Sequence, residues 1–218
     1  MEAKEDSTKK SGKQNLLILS DSWNPFSKAF DPSIYAAGKS HFQITFLFVI
    51  SKKRRQALAD FYAFCRLADD ISDQTGLSAH QRRVLLDQLS DWVKLEKPIG
   101  HVFWDRFLRA RKSLQISNAS LLGILEGVKM DLQDSLQIET WEDLNNYVYG
   151  VACCVGEAVL SILGANSAEA PGYSLAMGRC LQYLNIMRDL EEDFQNKRIY
   201  LPREFLLDRK LKDILPAA

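Results

Sequence analysis

The chain has 218 residues, 46% hydrophobic and 26% charged, with 28 basic and 28 acidic side chains and a formal net charge of zero. That length is enough to bury one core, and the neutral balance gives no reason to expect a nucleic-acid partner. The four cysteines (Cys65, Cys153, Cys154, Cys180) form no CxxC pair, so they read as small core residues in a reducing compartment, not as a disulfide or zinc framework.

Residues 1–15 are polar, carry acidic side chains and lack an apolar core. They read as a disordered tail with no signal or transit sequence, leaving residues 16–218 as one domain. Alternating strand patterns are nearly absent and helical periodicity dominates, so an all-α bundle is predicted. A helix is expected from Pro32 to Ile50, and a second from Lys52 to Asp73 with Ser51 as N-cap. The basic run Lys52–Arg55 reads as a solvated helix start, with a phosphate or membrane-surface role as the alternative. Ser78 caps a third helix through Lys94. Further helices are expected at 101–114, 118–135 and Trp141–Leu163, then one opened by Pro171, and a short one at Arg203–Leu215. No run of about 18 apolar residues is visible. The longest candidate, Val151–Ala165, is interrupted by Glu157 and Ser161. His80 and His101 are expected at the surface.

Two acidic stretches carry chemistry. In the first, Arg66–Asp73, Asp69 and Asp73 lie about 40° apart around a helix, so both carboxylates can reach one cation or two neighbouring ones. Asp70 points elsewhere and suits an outer shell. Arg66 and Tyr62 lie one and two turns earlier on the same side, where a guanidinium fork suits phosphate. In the second, Ala176–Pro202, one long helix ending in a turn is predicted. Its Gln182, Asn185, Asp189 and Asp193 fall on one face and form the oxygen-rich set that a hard divalent cation needs. Either stretch alone also fits an exposed acidic helix end, with Arg66 pairing Asp69 or Asp70. Two such stretches, each with apolar residues packed around it, favour a shared metal–diphosphate site, because burying unpaired carboxylates is costly. The Glu-x-x-His pairs of a di-iron bundle, the sixth-position Gly of an EF-hand and the HExxH of a zinc protease are all absent. Tyr147–Gly156 (YVYGVACCVG) is rich in small residues. It suits close helix packing or the floor of a groove for a long apolar chain.

These motifs together resemble the squalene/phytoene synthase family, from about Gly38 to Pro202. Tyr62–Asp73 (YAFCRLADDISD) is similar to that family's first Asp-rich motif, and Tyr147–Gly156 to its Tyr…Val-Ala-Gly-x-Val-Gly segment. Gln182–Pro202 is similar to the second Asp-rich motif with its Arg-x-Tyr-Leu-Pro. The resemblance implies an isoprenoid synthase fold around a central cavity. It also implies magnesium-dependent head-to-head condensation of two prenyl diphosphates, farnesyl or geranylgeranyl, through a cyclopropyl diphosphate. By position, Asp69, Asp73, Asn185, Asp189 and Asp193 would hold Mg2+, with Mn2+ as a substitute. Tyr62, Arg66, Arg188 and the Lys39, Ser40, His41 patch would contact diphosphate, and Tyr147 and Gln182 would face the reacting region.

Cys153 stands where the family has glycine, and Gly38 and His41 where serines are usual. Family members extend by several further helices, so a bundle lacking its last helices is expected, and a non-catalytic or truncated scaffold is the alternative function. NADPH enters only for a squalene product, and no GxGxxG fingerprint is present. A cytoplasmic location is expected, with peripheral contact at the inner membrane face suggested by the oily product alone. Product, substrate length and oligomeric state are left open.

Overall fold

Helix α1 (Lys52–Ser72) forms because Leu58, Phe61, Ala68 and Ile71 repeat at helical spacing and are all buried. It belongs to a computed structural model in which residues 25–27, 31–32, 51–132, 135–165 and 167–208 are described. The predicted tail, most of the 32–50 helix and the end of the 203–215 helix therefore lie outside the described residues. Ser51 sits at the N-cap in extended geometry, but its hydroxyl makes no capping bond. Arg54 of the basic run donates to the carbonyl of Leu163, while Lys52 and Lys53 are exposed.

Helix α2 (Ala79–Leu95) opens with the predicted cap at Ser78, completed by Gln81 as a capping box. It ends at Glu96 in left-handed geometry. Helix α3 (Val102–Leu114) is capped by His101, whose Nδ1 accepts from the Phe103 amide at 3.2 Å while Nε2 meets the Ser27 carbonyl at 3.1 Å. The surface expectation for His101 is thus overturned: it is buried because both ring nitrogens find backbone partners. Helix α4 (Asn118–Met130) stops five residues early, with Asp131 as its C-cap. Strand β1 (Leu136–Gln137) follows and was not predicted. It pairs in parallel with β2 (Arg198–Ile199), in the register Leu136↔Arg198 and Gln137↔Ile199.

Helix α5 (Trp141–Val148) passes through one π-helical turn (Tyr149–Cys153) into α6 (Cys154–Leu163). The combined 23 residues are long and apolar enough to cross a membrane by length and composition. This corrects the expectation that no such stretch exists. Here the stretch packs against α4 and against α7 (Ala170–Arg188), and its Glu157 accepts bonds from Ser120 at 2.8 Å and Tyr149 at 3.0 Å. Helix α8 (Leu190–Gln195) precedes β2, and α9 (Arg203–Asp208) follows it.

The larger core lies between α1, α2, α3, α4 and α6. Its centre is aromatic: Trp92 meets Trp104 at 4.7 Å and Phe107 at 5.8 Å between ring centroids. At its edge the fully buried Asp60 is held by Arg106 at 2.9 and 2.7 Å and by Gln56 at 3.0 Å, as a buried carboxylate requires. A smaller core gathers Leu136, Ile138, Leu144, Tyr147, Cys153, Ile186 and Tyr200.

The small residues of Tyr147–Gly156 serve close packing. A Cβ on Gly150 would come within 2.8 Å of the Gly123 carbonyl oxygen and 3.0 Å of Gly127 Cα. Cys153 takes the family's glycine position because Gly178 on α7 makes room, a Cβ there falling 2.8 Å from Cys153 Cα. Cys180, by contrast, is exposed rather than part of the core. Gly150→Ala is expected to lower the unfolding free energy by about 1–3 kcal/mol, since the added methyl meets backbone. An unchanged urea midpoint would show that these helices part freely.

Candidate functional site

The last turns of α1 present the first acidic motif. Arg66 pairs with Asp69 at 3.0 Å and with Asp70 at 2.7 Å. Asp70 is buried, whereas Asp69 and Asp73 are about half exposed. Burial and the neighbouring Asp73 push the Asp69 carboxyl up, with Arg66 opposing. Asp73 is the C-cap of α1, and its Oδ1 accepts from Arg198 Nη2 at 3.3 Å. Tyr62 is partly buried against the larger core.

The second motif departs from the predicted single helix. The backbone leaves helical geometry at Asp189 (φ −100°, ψ 10°), which ends α7 and opens α8. Neither Pro nor Gly lies at the break. Instead, Arg188 grips the adjacent Asp189 with two bonds of 2.7 and 2.6 Å. Sequence neighbours diverge on a regular helix, so this fork contact requires a local bend. It also lowers the Asp189 pKa. On α7, Asn185 donates to Gln182 at 3.4 Å, and both are partly buried. On α8, Asp193 is partly buried and is pushed up by burial and then by Asp189.

The two motifs meet through β2. Arg198, already bonded to Asp73, also lowers the carboxyl pKa of Asp69, Asp131 and Asp193. Burial alone would lower the guanidinium's own pKa, but Tyr200, Asp131 and Asp73 raise it on balance. A cleft of about 330 Å3 lies alongside, lined by Leu190, Asp193, Phe194, Arg198 and Tyr200 among others.

Beneath it, Asp131 accepts from Tyr200 at 2.9 Å and from Tyr147 at 3.2 Å, and the two rings stack at 4.9 Å. Burial pushes the Asp131 carboxyl up to about 6, against the lowering by Tyr200, Arg198 and Tyr147. Burial also raises both phenols, so they remain donors. Tyr147 is therefore buried in a polar network.

Lys39, Ser40 and His41 lie outside the described residues. Among the described residues, no three His, Cys, Asp or Glu side chains gather closely enough to form a metal cluster. Sequence reasoning missed Asp131 and gave Arg198 no role. The predicted 118–135 helix hid the signal for Asp131: only with the helix ending at Met130 does this acid stand at a C-terminus, where it opposes the macrodipole and needs local donors. Arg198 stood inside the quoted Arg-x-Tyr-Leu-Pro.

Residues 36–217 match the squalene/phytoene synthase family, and the chain belongs to it. It is 28% identical over 190 residues to a presqualene diphosphate synthase of Zymomonas mobilis, covering 86% of this chain and 64% of that protein. It is 29% identical over 154 residues to a presqualene diphosphate synthase of Sinorhizobium fredii, covering 70% and 55%. A 4,4'-diapophytoene synthase of Staphylococcus haemolyticus is 31% identical over 194 residues, covering 85% and 60%. The crystal structure of squalene synthase HpnC from Alicyclobacillus acidocaldarius superposes with a TM-score of 0.74 at 26% identity, over 84% of this chain and 70% of that one. The all-α isoprenoid synthase architecture is thereby shown. The matched part spans between half and two thirds of these curated relatives' lengths.

Asp131 gives this region a pH signature. Its carboxyl titrates near 3.8 when unfolded and near 6 when folded, so the folded state holds the proton more tightly. The stability it contributes is present below about pH 4 and lost as pH rises through 6. The unfolding free-energy difference between wild type and Asp131→Asn should therefore change between pH 4 and 6, with wild type losing relative to the variant, and level off above. Urea titrations across that range check it, and a constant difference would refute the raised carboxyl.

Proposed function

We propose that the protein condenses two prenyl diphosphates, farnesyl or geranylgeranyl, head to head through a cyclopropyl diphosphate to a squalene- or phytoene-type product. The observation that carries this reading is the meeting of both Asp-rich motifs at Arg198, which bonds Asp73 and acts on Asp69 and Asp193 in a chain of this family. The relatives are named as synthases of presqualene diphosphate and 4,4'-diapophytoene.

The donor chemistry fits magnesium. Asp69, Asp73, Asn185, Asp189 and Asp193 offer hard oxygens. Burial first, and then the neighbouring carboxylates Asp73 and Asp189, raise the Asp69 and Asp193 carboxyls, with Arg66 and Arg198 opposing. When bound, Mg2+, or Mn2+ in its place, neutralises charge on a leaving diphosphate. Arg66 and Arg188 supply forks for phosphate oxygens once they let go of their carboxylates. Leu181 and Met177 precede Asn185 by one and two turns on one side of α7 and are exposed. An isoprenoid chain whose head is held near Asn185 meets apolar surface there, which keeps water from the reacting carbons. The Lys39–His41 patch, Tyr62 and Gln182 complete the proposed substrate contacts, while Tyr147, buried on Asp131 and Tyr200, faces the reacting region only from beneath. NADPH is needed only where the product is squalene, and the oily product favours peripheral membrane contact.

A second reading, a non-catalytic scaffold on the same fold, is favoured by a specific observation. Arg66 and Arg188 already grip Asp69, Asp70 and Asp189, and no three-carboxylate cluster forms among the described residues. Incubation with each labelled diphosphate and Mg2+, followed by lipid extraction, separates the two. A condensed C30 or C40 lipid is expected. Asp69→Asn and Asp189→Asn should each reduce its formation by at least about 100-fold, corresponding to several kcal/mol of lost charge stabilisation, with unchanged helical circular dichroism. No condensed lipid under any metal condition would leave the scaffold reading standing.

A further inference from the structure

Arg198 is anchored by its backbone and adaptable at its tip. Lys197 before it takes left-handed geometry (φ 59°). The strand is clamped by Leu136 N–H on the Lys197 carbonyl at 2.9 Å and Ile138 N–H on the Ile199 carbonyl at 3.0 Å. Two residues on, Tyr200 is stacked on Tyr147 and bonded to Asp131. The guanidinium itself is partly exposed and touches Asp73 through one contact of 3.3 Å, not through the two-bond fork that Arg106 makes with Asp60. A single long contact on a half-exposed carboxylate is readily exchanged. The guanidinium's contact is with Asp73, and its charge also opposes the rise of the Asp69, Asp131 and Asp193 carboxyls, at Asp69 together with Arg66.

We propose that Arg198 is the resident counter-cation of the two acidic motifs. In the ligand-free protein it occupies the Asp73 carboxylate that a divalent cation would use, and it transfers to the diphosphate when cation and diphosphate arrive together. This rests on the reading above, in which Asp73 holds metal. It adds an order to binding: the cation alone competes with a built-in positive charge and binds weakly. The metal–diphosphate pair gives Arg198 a new anion and binds well. Arginine suits this exchange because its fork serves carboxylate and phosphate alike, and the coupling between the two ligands is reciprocal.

The test is Mn2+ binding followed by electron paramagnetic resonance of the free ion, with and without inorganic diphosphate. The proteins are wild type, Arg198→Gln, Arg198→Lys and Asp73→Asn, each checked for folding by circular dichroism. Arg198→Gln should bind Mn2+ alone about tenfold more tightly than wild type, within the usual range of coupling between sites. It should also lose about tenfold of the affinity gained on adding diphosphate. Arg198→Lys keeps the charge and loses the fork, so it should bind Mn2+ alone as wild type does but gain less from diphosphate. A purely structural role for Arg198 would weaken Mn2+ binding in both conditions, and that result overturns the proposal. So does Arg198→Gln binding Mn2+ alone no better than wild type. If wild type binds no Mn2+ that Asp73→Asn removes, the metal reading itself fails and takes this inference with it.

Discussion

The close approach of three helices at glycine is the constraint on which the rest depends. Gly150 lies against the Gly123 carbonyl and Gly127, Gly127 against Val151, and Gly178 against Cys153. Side chains at these positions would hold α4, the π-helical turn and α7 apart, since interiors are packed too densely to absorb an extra methyl. Because they are close, the C-terminus of α4 places Asp131 within hydrogen-bonding reach of Tyr147. The same contact sets α7, with Gln182 and Asn185, beside the helix that carries Tyr147. The polar site is thus a consequence of apolar packing.

Charge balance is the second theme. In each acidic motif an arginine neighbour holds at least one carboxylate: Arg66 with Asp69 and Asp70, Arg188 with Asp189. The exposed pairs Arg66–Asp69 and Arg188–Asp189 contribute little to stability. Their cost is low and so is the cost of exchanging them, which suits residues expected to alternate between carboxylate and phosphate. Asp60 and Arg106 show the contrast, with a fully buried carboxylate and a two-bond fork tying α1 to α3. The same residue types build a fixed strut in one place and an exchangeable contact in the other, and burial decides which.

Most helices were legible because their signals are local: the Ser78–Gln81 capping box and the buried stripe of α1 are both written in adjacent residues. What escaped depended on distant partners. The β1–β2 pair is two residues long, too short for any periodicity, and forms only because α8 returns the chain beside Leu136. His101 reads as a surface residue until the Ser27 carbonyl is found against its ring. The π-helical turn breaks the 3.6-residue period used to assign faces. Asp189 was placed on a straight helix face, and only the grip of Arg188 shows why the helix bends there. In the candidate site, the Asp-rich motifs were visible in the sequence as motifs. The network of Asp131, Tyr147, Tyr200 and Arg198 was not, because its members come from three separate segments: the end of α4, α5, and β2 with the residue after it.

The Asp73–Arg198 contact joins residues 125 positions apart in the chain. During synthesis at about 5–20 residues per second, the first acidic motif exists for roughly 6–25 seconds before its counter-charge is made. Over that interval Asp69 and Asp70 can pair with Arg66, while Asp73 awaits its partner from β2. The two-residue ladder beside Arg198 closes a loop of about half that span, and such non-local contacts form late. The helices of the larger core can thus assemble while the acidic motif is still open to solvent and ions. Its final charge geometry is set by a segment that emerges well after it.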